Sequence, residues 1–317
     1  MAEGFASTGD LQEKKISFDE LAPGIYAFTA EGDPNSGVVI GEDGVLVFDA
    51  QATPRQARRV IERIREVTDK PIRHVVLSHY HAVRVLGASA YGAGEIIASS
   101  GTRRLIEERG QADFESEVGR FPRLFEDVES VPGLTWPSIA FEKAMTVWLG
   151  DRRVELLHLG RGHTAGDIVA WMPEEKVCFA GDLVESGATP YTGDAHLRDW
   201  PITLERLAAL GAEKLVPGRG AALTGPAEVR EAIEGTRSFV TELFRIAEEG
   251  VAAGHTLRQV YERALREMEP KYGHWVIFRH CMPFDVSRAY DEASGIDWPR
   301  IWTHERDLEM WRALEGG

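Results

Sequence analysis

The sequence predicts a mixed α/β fold that ends in a purely helical region, and two features of its hydrophobic pattern support this. Through most of the chain, short apolar runs of strand length alternate with segments whose apolar residues recur at helical spacing. Beyond residue 235 only the helical spacing remains. We therefore expect a flexible N-terminus at residues 1–17, an α/β domain at 18–235 and a helical extension at 236–317.

The predicted strands are short, and the segments between them carry turn and helix signals. A glycine-containing turn at 41–44 is typical of a hairpin. A helix is predicted to begin at Pro54, because Thr53 is a preferred N-cap and proline suits the first helical position. Gln56 stands where it would close a capping box. The apolar runs assigned to strands lie at residues 25–28, 37–40, 45–49, 75–77, 145–148, 154–158, 168–171, 177–180 and 214–216.

Composition narrows the class of function. The 317 residues are 43% hydrophobic and 27% charged, as in ordinary globular proteins. A net charge of −15 argues against a nucleic-acid partner, because phosphate binding needs a basic face. Cys178 and Cys281 lie among apolar or aromatic neighbours, which predicts buried free thiols in a reducing compartment. Neither a signal-peptide pattern nor an apolar run of about 18 residues occurs, so we expect a cytoplasmic protein without a membrane partner.

Two histidines that follow a predicted strand are the first candidate metal ligands. The apolar run 75–77 leads into His79 and His81, and alternate residues of an extended chain point to the same side. A third imidazole comes from His163, in a Gly-His-Thr-Ala-Gly-Asp segment, and a carboxylate from Asp182, in a Phe-Ala-Gly-Asp segment. A zinc or iron site needs three or four such ligands, with one position left for water or substrate.

These three segments, taken in this order, resemble the metallo-β-lactamase superfamily. The resemblance covers about residues 18–235 and implies a four-layer αβ/βα sandwich. It implies a metal-dependent hydrolase whose metal ligands are His79, His81, His163 and Asp182. The resemblance also implies that Asp49, at a strand end, is the acidic residue that orients a histidine ligand. The alternative is that Asp49 only caps the end of its strand.

The chain departs from the superfamily at the second metal position. The first motif of the superfamily is His-x-His-x-Asp-His, and its last two places hold Val83 and Arg84 here. A late Pro-Gly-x-Gly turn, where the superfamily has a histidine, holds Arg219. Guanidinium is always charged and only donates hydrogen bonds, so it cannot bind a cation. We therefore predict one divalent ion per chain, with zinc expected and iron or manganese as alternatives.

The two arginines predict an anionic substrate. Relative to the superfamily, the second metal position has lost a dication and the carboxylate replaced by Val83, which together remove about one positive charge. The two guanidinium groups add two positive charges. Arg84 and Arg219 would then hold a carboxylate or phosphate through their forked donors, and act with Asp182 as catalytic residues. The alternative is that one or both arginines only neutralise Asp182.

Three functions fit these residues. The leading one is a single-metal hydrolase of a small anionic ester, lactone or thioester, with Asp182 as ligand and proton acceptor. The second is a mononuclear non-haem iron dioxygenase, because two histidines and a carboxylate form a facial set; superfamily dioxygenases retain the Asp and His lost here. The third is a non-catalytic ligand-binding or assembly protein with a decayed site.

Several segments outside the ligand set are further candidates for the pocket. The polar, helix-leaning stretch 102–140 is long enough to roof the metal site. The segment 278–285 combines aromatic, basic and sulfur-bearing residues. The helical extension that carries it is expected to pack on the core, over the pocket, or against a second copy in a homodimer. Four candidates closely follow Asp182: Glu185, Tyr191, His196 and Asp199.

Overall fold

Two β-sheets packed face to face form the centre of the protein, in a computed structural model that describes residues 5–314. The strands of these residues are β1 (Ile16–Ala22), β2 (Ile25–Ala30), β3 (Ser36–Ile40), β4 (Val45–Phe48), β5 (Ile72–Val76), β6 (Glu95–Ser99), β7 (Ile139–Phe141), β8 (Ala144–Leu149), β9 (Arg152–Leu157), β10 (Val169–Met172), β11 (Val177–Gly181) and β12 (Lys214–Pro217). One sheet has seven strands in chain order, β1 to β7. The other has five, in the order β12-β11-β10-β9-β8.

Helices cover the outer faces of both sheets. Those of residues 5–314 are α1 (Pro54–Val67), α2 (Ala82–Val85), α3 (Ser100–Arg120), α4 (Trp200–Ala208), α5 (Pro226–Ala252), α6 (Leu257–Tyr272), α7 (Phe278–Ala293) and α8 (His304–Leu314). Short 3-10 turns lie at Ala6–Gly9, Leu86–Tyr91 and Val128–Ser130. Within this part of the chain, no helix is both long enough and apolar enough to cross a bilayer. Cys178 and Cys281 are buried free thiols, as predicted.

Three apolar clusters hold the layers together. The central cluster lies between the two sheets and includes Phe48 and Phe179, whose ring centroids lie 5.9 Å apart. A second cluster packs the first sheet against α1 and α3, where Val60 and Ile64 are fully buried. A third packs the second sheet against α4 to α8. The order helix, sheet, sheet, helix confirms the predicted four-layer sandwich.

The first long helix begins where the sequence predicts. Thr53 caps α1 by accepting a hydrogen bond from the backbone N–H of Gln56 at 3.3 Å, and Pro54 occupies the first turn. The predicted capping box is wrong, because the Gln56 side chain instead donates to the carbonyl oxygen of Arg123 at 3.4 Å. The chain that follows α3 passes over this helix end, so a tertiary partner replaces the local one.

The sheet topology brings the chemical motifs together at the strand ends. β4 pairs in parallel with β5, and β11 pairs in parallel with β12. The carboxyl ends of parallel neighbours share one edge of a sheet, so the segments that follow them meet there. Asp49 follows β4, His79 follows β5, Asp182 follows β11 and Arg219 follows β12. The loop with His163 leads into β10, which is antiparallel to β11 and therefore starts at the same edge.

The helical extension begins earlier than predicted. Helix α5 starts at Pro226 and runs through residue 235, so the predicted boundary falls inside one helix. Val229, in the first turns of this helix, is 2% exposed and already belongs to the cluster that joins α4 to α8. Helix α5 is therefore one packing unit with the extension. A homodimer through these helices stays a prediction.

The N-terminal segment contacts the helical extension through one buried aromatic residue. Residues 1–4 lie outside the described part, but Phe5 is only 6% exposed. Its ring packs against His280, Phe284 and Trp311 of the extension, with centroid distances of 5.6–6.4 Å. One buried aromatic side chain anchors a segment whose polar composition indicates a loose chain. The predicted flexibility of residues 1–17 stays a prediction.

Candidate metal centre

Three histidines converge where the strand ends meet. The ring centroids of His79, His81 and His163 lie 4.6–4.8 Å apart, and one ligand nitrogen from each lies within 4.8 Å of the others. All three side chains are buried, at 1–2% exposure. His79 and His81 lie in the loop after β5 rather than in the strand itself, and His81 is the N-cap of α2. The predicted convergence of the three imidazoles is confirmed.

The ring nitrogens that face away from the cluster each have a hydrogen-bond partner. Such outer partners fix the tautomer and the orientation of an imidazole that binds metal through its other nitrogen. The inner nitrogens of His81 and His163, Nδ1 and Nε2, lie 2.9 Å apart. The outer pairs are His79 Nδ1 with Ser78 Oγ at 2.8 Å, His81 Nε2 with Asp194 Oδ2 at 3.3 Å, and His163 Nδ1 with the carbonyl oxygen of Tyr191 at 2.8 Å.

Asp49 supports the cluster through Ser78. Its carboxylate accepts hydrogen bonds from the backbone N–H and the hydroxyl of Ser78, both at 2.8 Å, and that hydroxyl lies 2.8 Å from His79 Nδ1. Burial raises the pKa of Asp49 to about 7. Its φ of 65° lies in the left-handed region, which a non-glycine residue keeps only where surrounding contacts hold it. Asp49 therefore caps the strand end and orients His79 at the same time.

Asp182 lies between the histidines and Arg84. Its Oδ2 atom is 3.7 Å from His79 Nε2 and 3.6 Å from His163 Nε2. Ligand atoms around a tetrahedral zinc lie roughly 3.4 Å apart, given bonds of about 2.0–2.1 Å. Its Oδ1 atom accepts a hydrogen bond from Arg84 Nη2. Burial alone would raise the pKa of Asp182, but Arg84 and the neighbouring histidines hold that pKa well below its usual range.

The guanidinium of Arg84 is fully buried, and both of its terminal nitrogens donate hydrogen bonds within the protein. Besides Asp182, it donates to the carbonyl oxygens of Gly218 at 2.8 Å and Asn35 at 3.1 Å. Arg84 is 0% exposed and does not line the cavity beside the histidines. These contacts correct the predicted substrate contact of Arg84. They match the alternative interpretation, in which Arg84 neutralises Asp182.

Arg219, by contrast, lines the cavity as a cation without an ion pair. Its backbone N–H donates to Glu185 Oε2 at 2.6 Å, and its Nη1 donates to the carbonyl oxygen of Gly32 at 2.9 Å. Among residues 5–314, no carboxylate oxygen lies within 4.0 Å of its guanidinium, although Arg219 is only 6% exposed. Burial raises the pKa of Glu185 well above its usual range, which favours the uncharged carboxyl group.

A small cavity adjoins the histidine cluster at the second metal position, where Val83 forms part of its wall. Its volume is about 20 Å³, measured to the centres of water-sized spheres. Helix α3 contributes Arg120 and Phe121 lies just beyond it, so the stretch predicted to roof the site does so. The start of α7 contributes His280 and Cys281. The cavity is thus closed from one side by α3 and from the other by the extension.

The structure brings two of the four further candidates to this cavity. Glu185 and Tyr191 line it. His196 and Asp199 lie outside it, where Asp199 accepts a hydrogen bond from Arg161 Nε at 2.6 Å. Their nearness to Asp182 in the sequence is misleading because the chain turns away after Asp194 to enter α4.

Sequence reasoning missed two residues that matter to the site. Arg120 faces the cavity, and Asp194 holds the outer nitrogen of His81. Asp194 follows closely after Tyr191, a residue that sequence reasoning did single out, so its position was an available signal. Arg120 lies in the stretch 102–140 predicted to roof the site, but no motif distinguishes it from the other residues of that stretch.

The residues present fit a metal ion held by the three histidines. His79 Nε2 is buried and has no hydrogen-bond partner within residues 5–314. Leaving such an atom unpaired costs about 1–3 kcal/mol, and a metal ion held by the three imidazoles would supply its partner. Within the same residues, no other group of three or more His, Cys, Asp or Glu side chains brings its ligand atoms within 4.8 Å.

An αβ/βα sandwich with a buried histidine cluster at its strand ends defines a class of metal-binding protein. The family model described as the metallo-beta-lactamase superfamily matches residues 29–219 of this chain. The chain therefore belongs to the metallo-β-lactamase superfamily, and the resemblance inferred from its motifs is confirmed.

Individual relatives agree with this assignment. A metallo-beta-lactamase type 2 from Bacillus cereus is 27% identical over 219 residues, which cover 65% of this chain and 77% of that protein. A linear primary-alkylsulfatase from Pseudomonas sp. (strain ATCC 19151) is 21% identical over 233 residues, covering 62% of this chain and 43% of that protein. The solved metallo-beta-lactamase from Pontibacter korlensis superimposes with a TM-score of 0.57 at 19% identity, covering 72% of this chain and 99% of that one.

Replacing Asp194 with asparagine should weaken metal binding by about 10- to 100-fold. Asp194 accepts from Arg109 Nη1 at 3.0 Å and lies against His81 Nε2, so its charge holds that imidazole with Nδ1 toward the cluster. Competition with a chromophoric chelator measures the affinity. Asp33→Asn is a matched control, because Asp33 also pairs with an arginine, at 2.6 Å, but touches no histidine. Unchanged metal affinity in Asp194→Asn would show that Asp194 does not support metal binding through His81.

Proposed function

We propose that this protein is a single-metal hydrolase that acts on a small anionic ester, lactone or thioester. The observation that carries the proposal is a complete three-histidine cluster beside a second metal position that holds Val83, Arg84 and Arg219. Three imidazole nitrogens suffice for one catalytic ion and leave a position for substrate. A valine and two guanidinium groups offer no ligand to a second ion.

Each residue of the site has a separate role in this proposal. When bound, the metal ion, with zinc expected, would acidify a water molecule and polarise the group to be cleaved. The histidines hold the ion. The Asp182 carboxylate is a further ligand and accepts a proton. Arg84 keeps Asp182 ionised and in place. Arg219 binds the anionic group of the substrate or the negative charge that develops during reaction.

The charge of the cavity supports an anionic substrate. Arg84 and Asp182 neutralise each other, and Glu185 favours its uncharged form, so Arg219 contributes a net positive charge. A buried cation without a partner is costly, and an anionic substrate group would offset that cost. The relative named linear primary-alkylsulfatase acts, by its name, on an ester that carries a negative charge. That substrate class agrees with the one proposed here.

Two alternatives remain distinct hypotheses with different outcomes. An iron dioxygenase of the same fold would retain the Asp and His of the first motif, and Val83 and Arg84 hold those places here. A non-catalytic protein with a decayed site would have no use for outer hydrogen bonds that orient each imidazole. Both observations favour the hydrolase.

Counting the metal tests the proposal. The full chain, saturated with Zn²⁺ and then freed of unbound ion, should retain close to one ion per chain by elemental analysis. Two ions per chain would contradict the role given to Val83, Arg84 and Arg219. Stoichiometric iron in the purified protein with oxygen uptake would favour the dioxygenase. A folded chain that binds no metal would favour the non-catalytic protein.

Restoring the lost ligands gives a second test of the same point. The double change Val83→Asp with Arg84→His should still bind one ion, because the charge of Arg219 opposes a second cation. Adding Arg219→His removes that charge and supplies a third ligand, so the triple variant should take up a second ion. Two ions in the double variant would show that Arg219 does not guard this position.

A further inference from the structure

Five buried polar atoms without hydrogen-bond partners within residues 5–314 belong to side chains that line the cavity beside the histidines. Within residues 5–314, no hydrogen bond reaches Arg120 Nε, Thr189 Oγ1, Tyr191 Oη or either ring nitrogen of His280. Arg120, Thr189 and His280 are each at most 2% exposed. Folded proteins pair nearly all such atoms, so several orphans around one space indicate that a polar ligand belongs there.

Arg120 is a buried cation whose donors are not used by the protein. Its nearest carboxylate oxygens, from Asp307 and Glu117, lie at 3.8 and 4.0 Å, beyond hydrogen-bond distance. Both carboxylates have closer partners elsewhere. Asp307 accepts from Ser116 Oγ at 2.5 Å, and Glu117 accepts from the backbone N–H of Val83 at 2.8 Å. The guanidinium of Arg120 is therefore held near two carboxylates without donating to either.

His280 brings the helical extension into the same wall. Its ring packs against Phe121, with centroids 4.4 Å apart, and stacks on Phe284 at 5.6 Å. Burial, followed by the charges of Arg120 and Arg219, lowers the pKa of His280 well below its usual range. The imidazole is therefore neutral, and one of its nitrogens donates a hydrogen bond while the other accepts one.

We propose that this cavity binds a small oxyanion between Arg120, Arg219 and His280, next to the metal ligands. Within residues 5–314, Arg219 has no ion pair and Arg120 has only two long ones, at 3.8 and 4.0 Å, so a single negative group in the cavity that both line would satisfy both. The hydroxyls of Thr189 and Tyr191 supply further donors. This inference rests on the proposed function only in taking the oxyanion to be the charged group of the substrate.

The size of the cavity sets the kind of oxyanion. Its volume of about 20 Å³ is that of one or two water-sized spheres, since one water needs about 10–15 Å³ by this measure. The two oxygens of a carboxylate occupy a comparable space. A second small cavity, also about 20 Å³, lies on the other side of Phe121, Arg219 and Ile277.

The location of His280 makes the extension a recognition element. The superfamily match ends at residue 219, whereas His280 lies in α7. A site formed by the sandwich alone would have Arg219 but not His280. The helical extension therefore gives this chain a substrate preference that the matched region by itself does not encode.

Acetate binding tests the proposal in the metal-loaded full chain. Sodium acetate, titrated at constant ionic strength with chloride as reference, should raise the melting temperature saturably, and calorimetry should give one site per chain. Arg120→Met and His280→Phe keep side-chain bulk but remove donors, so each should weaken acetate binding about tenfold or more. Arg279→Met is the matched control, because Arg279 lies on the same helix but is 54% exposed and pairs with Glu269. It should bind acetate like the unaltered chain.

Two further arms separate the cavity from the metal and from the enzymatic proposal. His79→Ala should lack the ion but should still bind acetate. If His79→Ala loses acetate binding while Arg120→Met keeps it, the anion binds only the metal, and the proposal is overturned. Sulfate in place of acetate reports whether a tetrahedral group also fits. Should Arg120→Met not fold, His280→Phe decides, and unchanged acetate affinity in it refutes the site. A chain without hydrolase activity that binds acetate as described would leave this inference standing and remove the proposed function.

Discussion

Replacing His163 with alanine should abolish stoichiometric metal binding and lower kcat/KM by roughly 10³-fold or more, because a metal ion contributes several kcal/mol to the transition state. His163 Nε2 lies 2.9 Å from His81 Nδ1 and 3.6 Å from Asp182 Oδ2, at the centre of the cluster. Elemental analysis of the variant, purified in parallel with the unaltered chain, gives the metal content directly.

The control for this variant is another buried histidine. His196 is also 1% exposed, and its ring nitrogens have no hydrogen-bond partner within residues 5–314, but it lies outside the cavity. His196→Ala removes the same volume from the interior and should leave the metal content unchanged. Full metal occupancy in His163→Ala, or equal loss in both variants, would mean that the cluster does not hold the ion as proposed.

The fold could be predicted wherever a local signal and the final packing agree. Thr53 and Pro54 start α1 as expected, because a cap and a first-turn proline act within one helical turn. The failures have a tertiary cause. Gln56 turns to Arg123 instead of its own helix end, and Phe5 anchors the N-terminus to helices far along the chain. Neither partner is visible in a local pattern.

The site was predictable to the extent that its residues lie in recognisable segments. The three histidines follow from spacing and motif, and they do meet. Arg84 was assigned to substrate because its sequence position belongs to a metal ligand. In the fold, its side chain turns to Asp182 and to two backbone carbonyls. Arg120 belongs to the stretch predicted to roof the site, but only the packing of α3 over the strand ends identifies it as a residue that reaches the cavity.

Replacing Arg219 with alanine should cost about 2–4 kcal/mol of combined binding and transition-state energy toward an anionic substrate, judging from charge-assisted hydrogen bonds and oxyanion donors. That corresponds to a loss of roughly 30- to 10³-fold in kcat/KM. Arg219 is the arginine of the second metal position that lines the cavity, and it has no ion pair within residues 5–314. Its removal should leave the metal content unchanged, because its side chain donates to a backbone carbonyl and not to a metal ligand.

Arg219→Lys separates the charge from the donor geometry. Lysine keeps the positive charge but loses the planar fork, so the loss should be smaller than in Arg219→Ala yet still measurable. A carboxylate-bearing monoester and its neutral methyl ester, assayed side by side, report the effect of charge: only the anionic ester should lose rate in both variants. Arg152→Ala is a suitable control, because Arg152 donates to backbone carbonyls far from the cavity. If Arg219→Ala hydrolyses the anionic ester as fast as the unaltered chain, Arg219 only fills the place of a lost ligand, and the preference for anions must come from elsewhere in the cavity.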